Sequence, residues 1–334
     1  MTPAQATTAS ATVVSVVVPT WQRPDLLRRC LTALCAQRFD ANAFEILVAD
    51  DGPDDATREV VSEFQRQTLG TPRVTYLPIV DTQGPAAARN AGWRHAQGEI
   101  VAFTDDDTIA DPLWLRGGCA ALLREPEAVA VAGDIDMPIS DPPTDYERDA
   151  SGLANAEFAT ANCFVRRDAL VSVGGFDERF TRAWREDADL MFALRALGTV
   201  SRAPDARVLH PVRPARWGVS IGQQSKVFFD ALLYKKYPSL YRTHIRPTPP
   251  WLYYTAAGAL LAAIALLALA QYPLAGAALV VWGAATAVFC VRRLRNTSRT
   301  PAHIAEMVWT SIAIPPVSLY WRARGDLHFK VLFL

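Results

Sequence analysis

The chain has 334 residues, of which 34 are lysine or arginine and 34 aspartate or glutamate. That length allows one large domain plus something smaller, and the balanced charge excludes a global field drawing the protein to nucleic acid. The five cysteines (Cys30, Cys35, Cys119, Cys163 and Cys290) are scattered. They form none of the close pairs of a zinc site, and an odd count fits a reducing compartment better than a disulfide framework.

Residues 1–12 are Ala/Thr-rich, lack a basic stretch and read as a flexible terminus. The apolar run Val13–Val18 ends at Pro19, too short for the core of a secretory signal. It reads as a buried strand, which leaves the following domain in the cytoplasm. Further strands are expected at Phe44–Ala49, Arg73–Pro78 and Glu99–Thr104, all short and rich in Val, Ile or aromatics. Helices are expected between them. Pro24–Cys35 puts Leu27, Cys30, Leu31 and Leu34 on one face, with Pro24 in the first turn, where its missing N–H costs nothing. Ala56–Gln67 and Pro85–Gln97 have similar patterns. This alternation predicts an α/β domain with a mostly parallel sheet covered on both faces.

Past Asp111 the pattern loosens. A helix over Leu113–Arg124, a strand over Val129–Gly133, a Pro/Asp-rich loop over Pro138–Asp149 and a strand over Ala159–Arg166 are expected. Loops beyond about 12–15 residues are uncommon without a function. Glu186–Leu197 reads as an amphipathic helix stopped by Gly198.

The tail differs in kind. Trp251 to Val291 carries no charged residue. A membrane span needs about 20 apolar residues, so this run holds two, broken at Gln271-Tyr272-Pro273; the bland alternative is a buried helical pair in a soluble protein. Arg292, Arg293, Arg295 and Arg299 follow, and the positive-inside trend places them and both ends of the hairpin in the cytoplasm. Tyr237, Tyr241, Trp251, Tyr253 and Tyr254 are then expected near the interface. Ile304–Trp321, with Glu306 and Pro315-Pro316, reads as a kinked interfacial or re-entrant helix. The expected domains are 13–245 catalytic, 251–291 membrane hairpin, and 292–334 a basic loop with that last segment.

Four motifs carry chemistry. Val48-Ala-Asp-Asp-Gly52 ends the second strand, where open parallel sheets bind ligands. Asp50 and Asp51 can accept from a base N3–H or a ribose hydroxyl there, or simply form a turn. Phe103-Thr-Asp-Asp-Asp107 ends the fourth strand. Its carboxylates either hold a hard divalent metal against a diphosphate leaving group or form a solvated helix cap. Gly84-Pro-Ala-Ala-Ala-Arg-Asn-Ala-Gly92 lets a ligand approach its backbone, with Arg89 reaching a phosphate or base, or is an Ala-rich helix with a surface arginine. In Trp184-Arg-Glu-Asp-Ala-Asp-Leu190, Glu186 and Asp187 either answer the helix dipole or supply a general base, Asp187, for an acceptor hydroxyl. His210 is a further metal ligand or a structural imidazole.

In this order the motifs resemble the family 2 glycosyltransferases. The resemblance spans roughly Val13 to His210 and implies the GT-A fold, a Rossmann-like nucleotide-diphospho-sugar transferase domain, here followed by a transmembrane hairpin. Val16–Pro24 (VVVPTWQRP) resembles the opening strand and loop, which implies donor contacts from Pro19, Thr20 and Arg23. Asp51, with Asp50 beside it, is similar to the base contact, and Arg89-Asn90 to the arginine near the nucleotide. Asp105-Asp106-Asp107 resembles the D-x-D motif: Asp105 and Asp107 on the metal side, joined by His210, with Asp105 and Asp106 toward the nucleotide-sugar. Gly174-Gly-Phe-Asp-Glu178 followed by Glu186-Asp187 resembles the acceptor segment, which implies Asp187 as the base of an inverting displacement and Glu186 beside it. The implied cofactor is Mg²⁺ or Mn²⁺ and the implied donor a UDP-, GDP- or dTDP-linked sugar.

Arg213-Pro-Ala-Arg-Trp217 has arginine where processive members carry the glutamine of Q-x-x-R-W, which points to a non-processive enzyme. Pro53 stands where the family usually has serine. The hairpin adds an expected location, the inner membrane with the catalytic domain cytoplasmic, and an expected acceptor, the hydroxyl of a lipid or lipid-linked saccharide. The alternatives are a polyprenyl-phosphate acceptor and a catalytically silent membrane scaffold.

Overall fold

The computed structural model describes residues 12–332, so the expected flexible terminus falls outside it except for Thr12. The chain forms two compact units. One takes in the chain up to Pro138 together with Leu153–Pro211; the other takes in Ile139–Gly152 together with the chain from Val212.

The first unit is built on an eight-stranded sheet of order β3-β2-β1-β4-β7-β6-β8-β5. In chain order its elements begin β1 (Val14–Thr20), α1 (Pro24–Cys35), β2 (Phe44–Asp50), α2 (Asp55–Thr68), β3 (Arg73–Pro78), α3 (Pro85–His95) and β4 (Ile100–Thr104). β5 (Ile109–Ala110), α4 (Trp114–Arg124) and β6 (Ala128–Asp136) follow. After α5 (Asp145–Ala150), which belongs to the second unit, come β7 (Asn162–Arg166), α6 (Arg167–Val173), α7 (Glu186–Arg195) and β8 (Thr199–Leu209).

β2 is buried along its whole length and β1 along nearly all of it, which is why both read as continuous apolar runs rather than alternating ones. α1 buries the four residues of its predicted face. α3 lies against β1 without a side chain between them at Gly92. A Cβ there would fall inside contact distance of both methyl carbons of Val17.

The expected parallel pairing runs through one half of the sheet and returns in the other only between β6 and β8. β1 pairs parallel with β2 and β4, and β2 with β3. β7 then runs antiparallel to both β4 and β6, so the sheet is mixed. Because β1 has β2 on one side and β4 on the other, the winding reverses at β1. Such a switch point opens a crevice outside the carboxyl ends of the strands, where Thr20, Asp50 and Asp105 all fall.

In the second unit the expected loop over 138–149 is not structureless. Thr144 caps α5 with a reciprocal pair of bonds: its Oγ1 accepts from the Glu147 amide at 3.2 Å, and Glu147 Oε2 accepts from the Thr144 amide at 2.7 Å. The unit continues with α8 (Val219–Gln223), α9 (Asp230–Lys236) and the single turn α10 (Pro238–Leu240). Then come α11 (Trp251–Ala268), α12 (Tyr272–Leu294) and α13 (Pro301–Phe329). α11 and α12 pack against each other, and both are long and apolar enough to cross a membrane.

The segment 304–321 lies within one continuous 29-residue helix that runs through Pro315 and Pro316. Two tail expectations are corrected. Tyr241 is fully buried and donates its hydroxyl to Asp230 Oδ2 at 3.0 Å, so it faces the protein interior. Arg293 is also buried rather than a free basic marker. Its Nε and Nη2 reach Asp145 Oδ2 at 3.1 and 2.8 Å, and its Nη1 donates to Thr310 Oγ1 at 2.6 Å. Removing two opposite charges from water is costly unless the pair is well bonded, and these three bonds meet that condition.

Candidate active site

The crevice at the strand ends gathers the expected residues of the first unit in three groups. The first joins β1 to the acidic triplet. Asp106 is buried, accepts from Thr20 Oγ1 at 2.8 Å through Oδ2, and pairs with Arg23 Nη1 at 3.1 Å through Oδ1. Burial pushes its carboxyl up to about 6, with Arg23 opposing and Asp107 adding to the rise. Both its oxygens are engaged, so the middle aspartate ties the opening loop to β4. Pro19 sits half-buried beside Thr20.

The second group closes the β2 end. Asp50 is fully buried and accepts from Tyr76 Oη at 2.8 Å and from the Gly52 amide at 3.2 Å. Asp51 is half-buried and accepts from the Gly84 amide at 2.7 Å. Burial raises its carboxyl against that amide, and the Asp50 charge adds to the rise. Asp51 is therefore the more open of the two. Tyr76 escaped the sequence reading. Its signal was present, since β3 pairs with β2 so that Tyr76 lies beside Val48, two residues before Asp50.

The third group is centred on Arg89. Arg89 is buried and donates from Nη2 to Asp105 Oδ1 at 2.8 Å and from Nη1 to Glu186 Oε1 at 3.2 Å. It is not a surface arginine. Burial alone would lower its guanidinium pKa, but the charges of Asp105 and Glu186 outweigh burial and raise it. Burial acts to raise Asp105 as well, yet Arg89 and then His210 outweigh it and hold that carboxyl below the usual range. Glu186 goes the other way. Burial pushes it up to about 7, with the Asp187 charge adding and Arg89 opposing. Asp187 is half-buried, accepts from the Ala188 amide at 2.7 Å, and is raised by burial.

Asp105, Asp107 and His210 each bring one ligating atom within 4.8 Å of the others. His210 Nε2 stands 3.4 Å from Asp107 Oδ1. Two carboxylates with one imidazole make a hard-to-borderline donor set suited to Mg²⁺ or Mn²⁺. His210 is also buried, with no hydrogen-bond partner at Nδ1. Nε2 is the ring nitrogen turned to the carboxylates, and this set of two carboxylates and one imidazole fits a divalent metal.

Asn90, next to Arg89, holds the Gly174–Glu178 segment to α3. Its Nδ2 donates to the Phe176 carbonyl at 2.9 Å and to Glu178 Oε1 at 2.7 Å, while its Oδ1 accepts from the Phe176 amide at 2.9 Å. Gly175 makes this close approach possible. Its φ is +79°, and a Cβ there would collide with Asn90 Oδ1 and Trp93 Nε1. Its positive φ and lack of side chain let the Gly174–Glu178 turn seat on α3 just upstream of Glu186.

Residues 15–176 match the family model "Glycosyl transferase family 2", and residues 144–292 match "Glycosyl transferase family group 2". Glycosyltransferase AglE of Haloferax volcanii is 27% identical over 219 residues, covering 62% of this chain and 69% of its own. GalNAc(5)-diNAcBac-PP-undecaprenol beta-1,3-glucosyltransferase of Campylobacter jejuni is 37% identical over 113 residues, 34% of each chain. The match thus spans about a third of that relative's length. Among solved structures, the mannosyltransferase PcManGT from Pyrobaculum calidifontis, in complex with GDP-Man and Mn²⁺, superimposes with a TM-score of 0.60 at 20% identity. The superposition covers 95% of this chain and 88% of that one, a likeness of fold. The motifs, the sheet order and these matches agree: the chain belongs to the family 2 glycosyltransferases and carries the GT-A fold.

Proposed function

We propose that this protein moves a sugar, with inversion at the anomeric carbon, from a nucleotide-diphosphate donor to a hydroxyl of a lipid or lipid-linked saccharide at the cytoplasmic face of the inner membrane. One observation carries the reading. Arg89 bridges Asp105 of the metal-type cluster and Glu186 of the acceptor segment, so donor-side and acceptor-side acids share one buried cation. In this reading Asp51 faces the base, with Asp50 buried behind it on Tyr76 rather than in contact with the ligand, and Pro19, Thr20 and Arg23 line the nucleotide. Asp105, Asp107 and His210 hold Mg²⁺ or Mn²⁺, which when bound offsets charge on the departing diphosphate.

Asp187 takes the proton from the attacking hydroxyl. It is half-buried and lies next to Glu186, whose Oε1 is committed to Arg89, so Asp187 is the base and Glu186 its anchored neighbour. Burial raises Asp187, which brings a carboxylate closer to the basicity this step needs. The lipid acceptor is supported by the two apolar helices α11 and α12 and by the polyprenol-linked acceptor in the name of the Campylobacter relative. The exposed Arg292 in the last turn of α12, with Arg295 and Arg299 beyond it, favours a cytoplasmic position for that end.

The test is a screen of UDP-, GDP- and dTDP-sugars with the full chain in a membrane mimic, followed by mass analysis of the lipid products. A sugar on a lipid hydroxyl is the expected product, and Asp187→Asn should slow its formation by about 10²- to 10⁴-fold. Retention of near-full rate by that variant would instead favour a polyprenyl-phosphate acceptor, which needs little help from a base. No turnover of any donor, with or without Mn²⁺, would leave a silent scaffold.

A further inference from the structure

A cleft of about 430 Å³ lies wholly within the second unit, on residues separate from the acidic cluster. Its walls are the start of α5, the segment from Val212 to Ser220 and the first turns of α13. The Arg213-Pro-Ala-Arg-Trp217 motif, which the catalytic reading leaves unused, forms part of its lining.

The acidic groups in this wall are already engaged. Glu147 accepts from Ser140 Oγ at 2.7 Å and from the Thr144 amide, and Asp145 pairs with Arg293. Glu306 Oε1 accepts from the Gly218 amide at 2.7 Å. One cation is left over. Arg216 is exposed, and its guanidinium makes no hydrogen bond or ion pair among the described residues. Trp217 is 57% exposed while its Nε1 donates to the Ala302 carbonyl at 3.4 Å. His303 is 5% exposed, and its Nε2 is buried without a hydrogen-bond partner, an arrangement that costs stability unless something fills the gap.

The position within the unit narrows the ligand. Ser220, in the cleft wall, accepts from Arg293 Nη2 at 3.2 Å, and Arg293 sits in the last turn of α12. The cleft therefore adjoins the charged end of the apolar hairpin, beside the exposed Arg292 and Arg295. A molecule with its apolar part along α11 and α12 would carry its head group to this level.

We infer that this cleft binds the phosphate-bearing head group of a membrane lipid. Arg216 meets the phosphate oxygens, His303 Nε2 is the buried hydrogen-bonding partner, and Trp217 covers the group beside the phosphate. Naming that lipid as the acceptor rests on the proposed function; the phosphate chemistry does not.

Binding is measured on the full chain in neutral detergent, with polyprenyl phosphate, phosphatidylglycerol, phosphatidylcholine and inorganic pyrophosphate as probes. Polyprenyl phosphate should bind saturably, and Arg216→Ala should weaken it about tenfold, as loss of a charged hydrogen bond does. Arg216→Lys should restore most of the loss, and Trp217→Ala should weaken the lipid more than pyrophosphate. Thermal melting shows that each variant is folded. Phosphatidylglycerol binding equally well, with the same loss in Arg216→Ala, would support the cleft but assign it to bulk anionic lipid. Pyrophosphate binding as tightly as either lipid would overturn the lipid assignment. Equal affinity of wild type and Arg216→Ala for every probe, or binding no stronger than that of phosphatidylcholine, would overturn the inference. Sugar transfer to lipid is scored separately. Transfer without cleft binding sinks this inference alone, and cleft binding without transfer sinks the lipid acceptor alone.

Discussion

Arg89 Nη2 lies 2.8 Å from Asp105 Oδ1, and the same guanidinium reaches Glu186. Both ends of the contact with Glu186 are buried, so deleting the cation strands charge in a low-dielectric interior. Arg89→Met should cost about 3–5 kcal/mol of stability, read as a lowered melting temperature of the full chain in detergent. Adding Glu186→Gln should recover part of the loss. No drop in the single variant would mean the bridge carries little of the site's order.

Glu186 also predicts a pH dependence. Its folded value of about 7 lies above its ordinary value of 4.5. Between those values the native state holds a proton that the unfolded chain has released, so stability falls as pH rises through the window. Below it the penalty is absent; above it the penalty is complete. Melting temperature plotted against pH should therefore slope downward across this range more steeply in wild type than in Glu186→Gln. Parallel profiles would show that the carboxyl is not perturbed in the folded protein.

The cluster of Asp105, Asp107 and His210 should bind Mn²⁺ in the absence of any nucleotide. His210→Ala should weaken that binding by about tenfold or more, the scale on which even supporting partners of a metal site act. Electron paramagnetic resonance of added Mn²⁺ reads the free ion directly. An unchanged titration in His210→Ala would remove the imidazole from the set.

In the second unit, Asp145→Ala leaves Arg293 buried without its carboxylate and should cost about 3–5 kcal/mol. The pair Asp145→Leu with Arg293→Met should be closer to wild type, since apolar replacement of a whole buried pair is often neutral. Melting of the three chains in detergent gives the comparison. Equal melting of the single variant and wild type would mean that the pair is loosely held.

The fold was legible wherever burial follows chain order. α1, with Pro24 in its first turn and four apolar residues on one face, and β3 both fall where the sequence places them. β8 was not legible, because its sequence TVSRAPDARVL has neither alternation nor a continuous apolar run. It is a strand because β5 pairs with it on one side and β6, across two register shifts, on the other, a tertiary cause. The site divides the same way. The Asp105–Asp107 motif and Asp187 could be picked out locally, whereas the bonding of Asp106 to Thr20 spans 86 positions. Arg293 misled because an arginine after an apolar run looks like a topology signal, while its partner Asp145 lies 148 positions away.

The bare contact of Gly92 with Val17 sets how far α3 stands from the sheet. Arg89 is three residues earlier on that helix, and Asp105 follows the strand beside β1. Gly92 thus acts as a spacer of zero thickness, gauging the reach of the Arg89 side chain to its carboxylates. One methyl group at that position would work as a wedge, backing the cation away from the crevice while every charged residue stayed in place. A lesion in this protein's chemistry can therefore come from a residue that carries none.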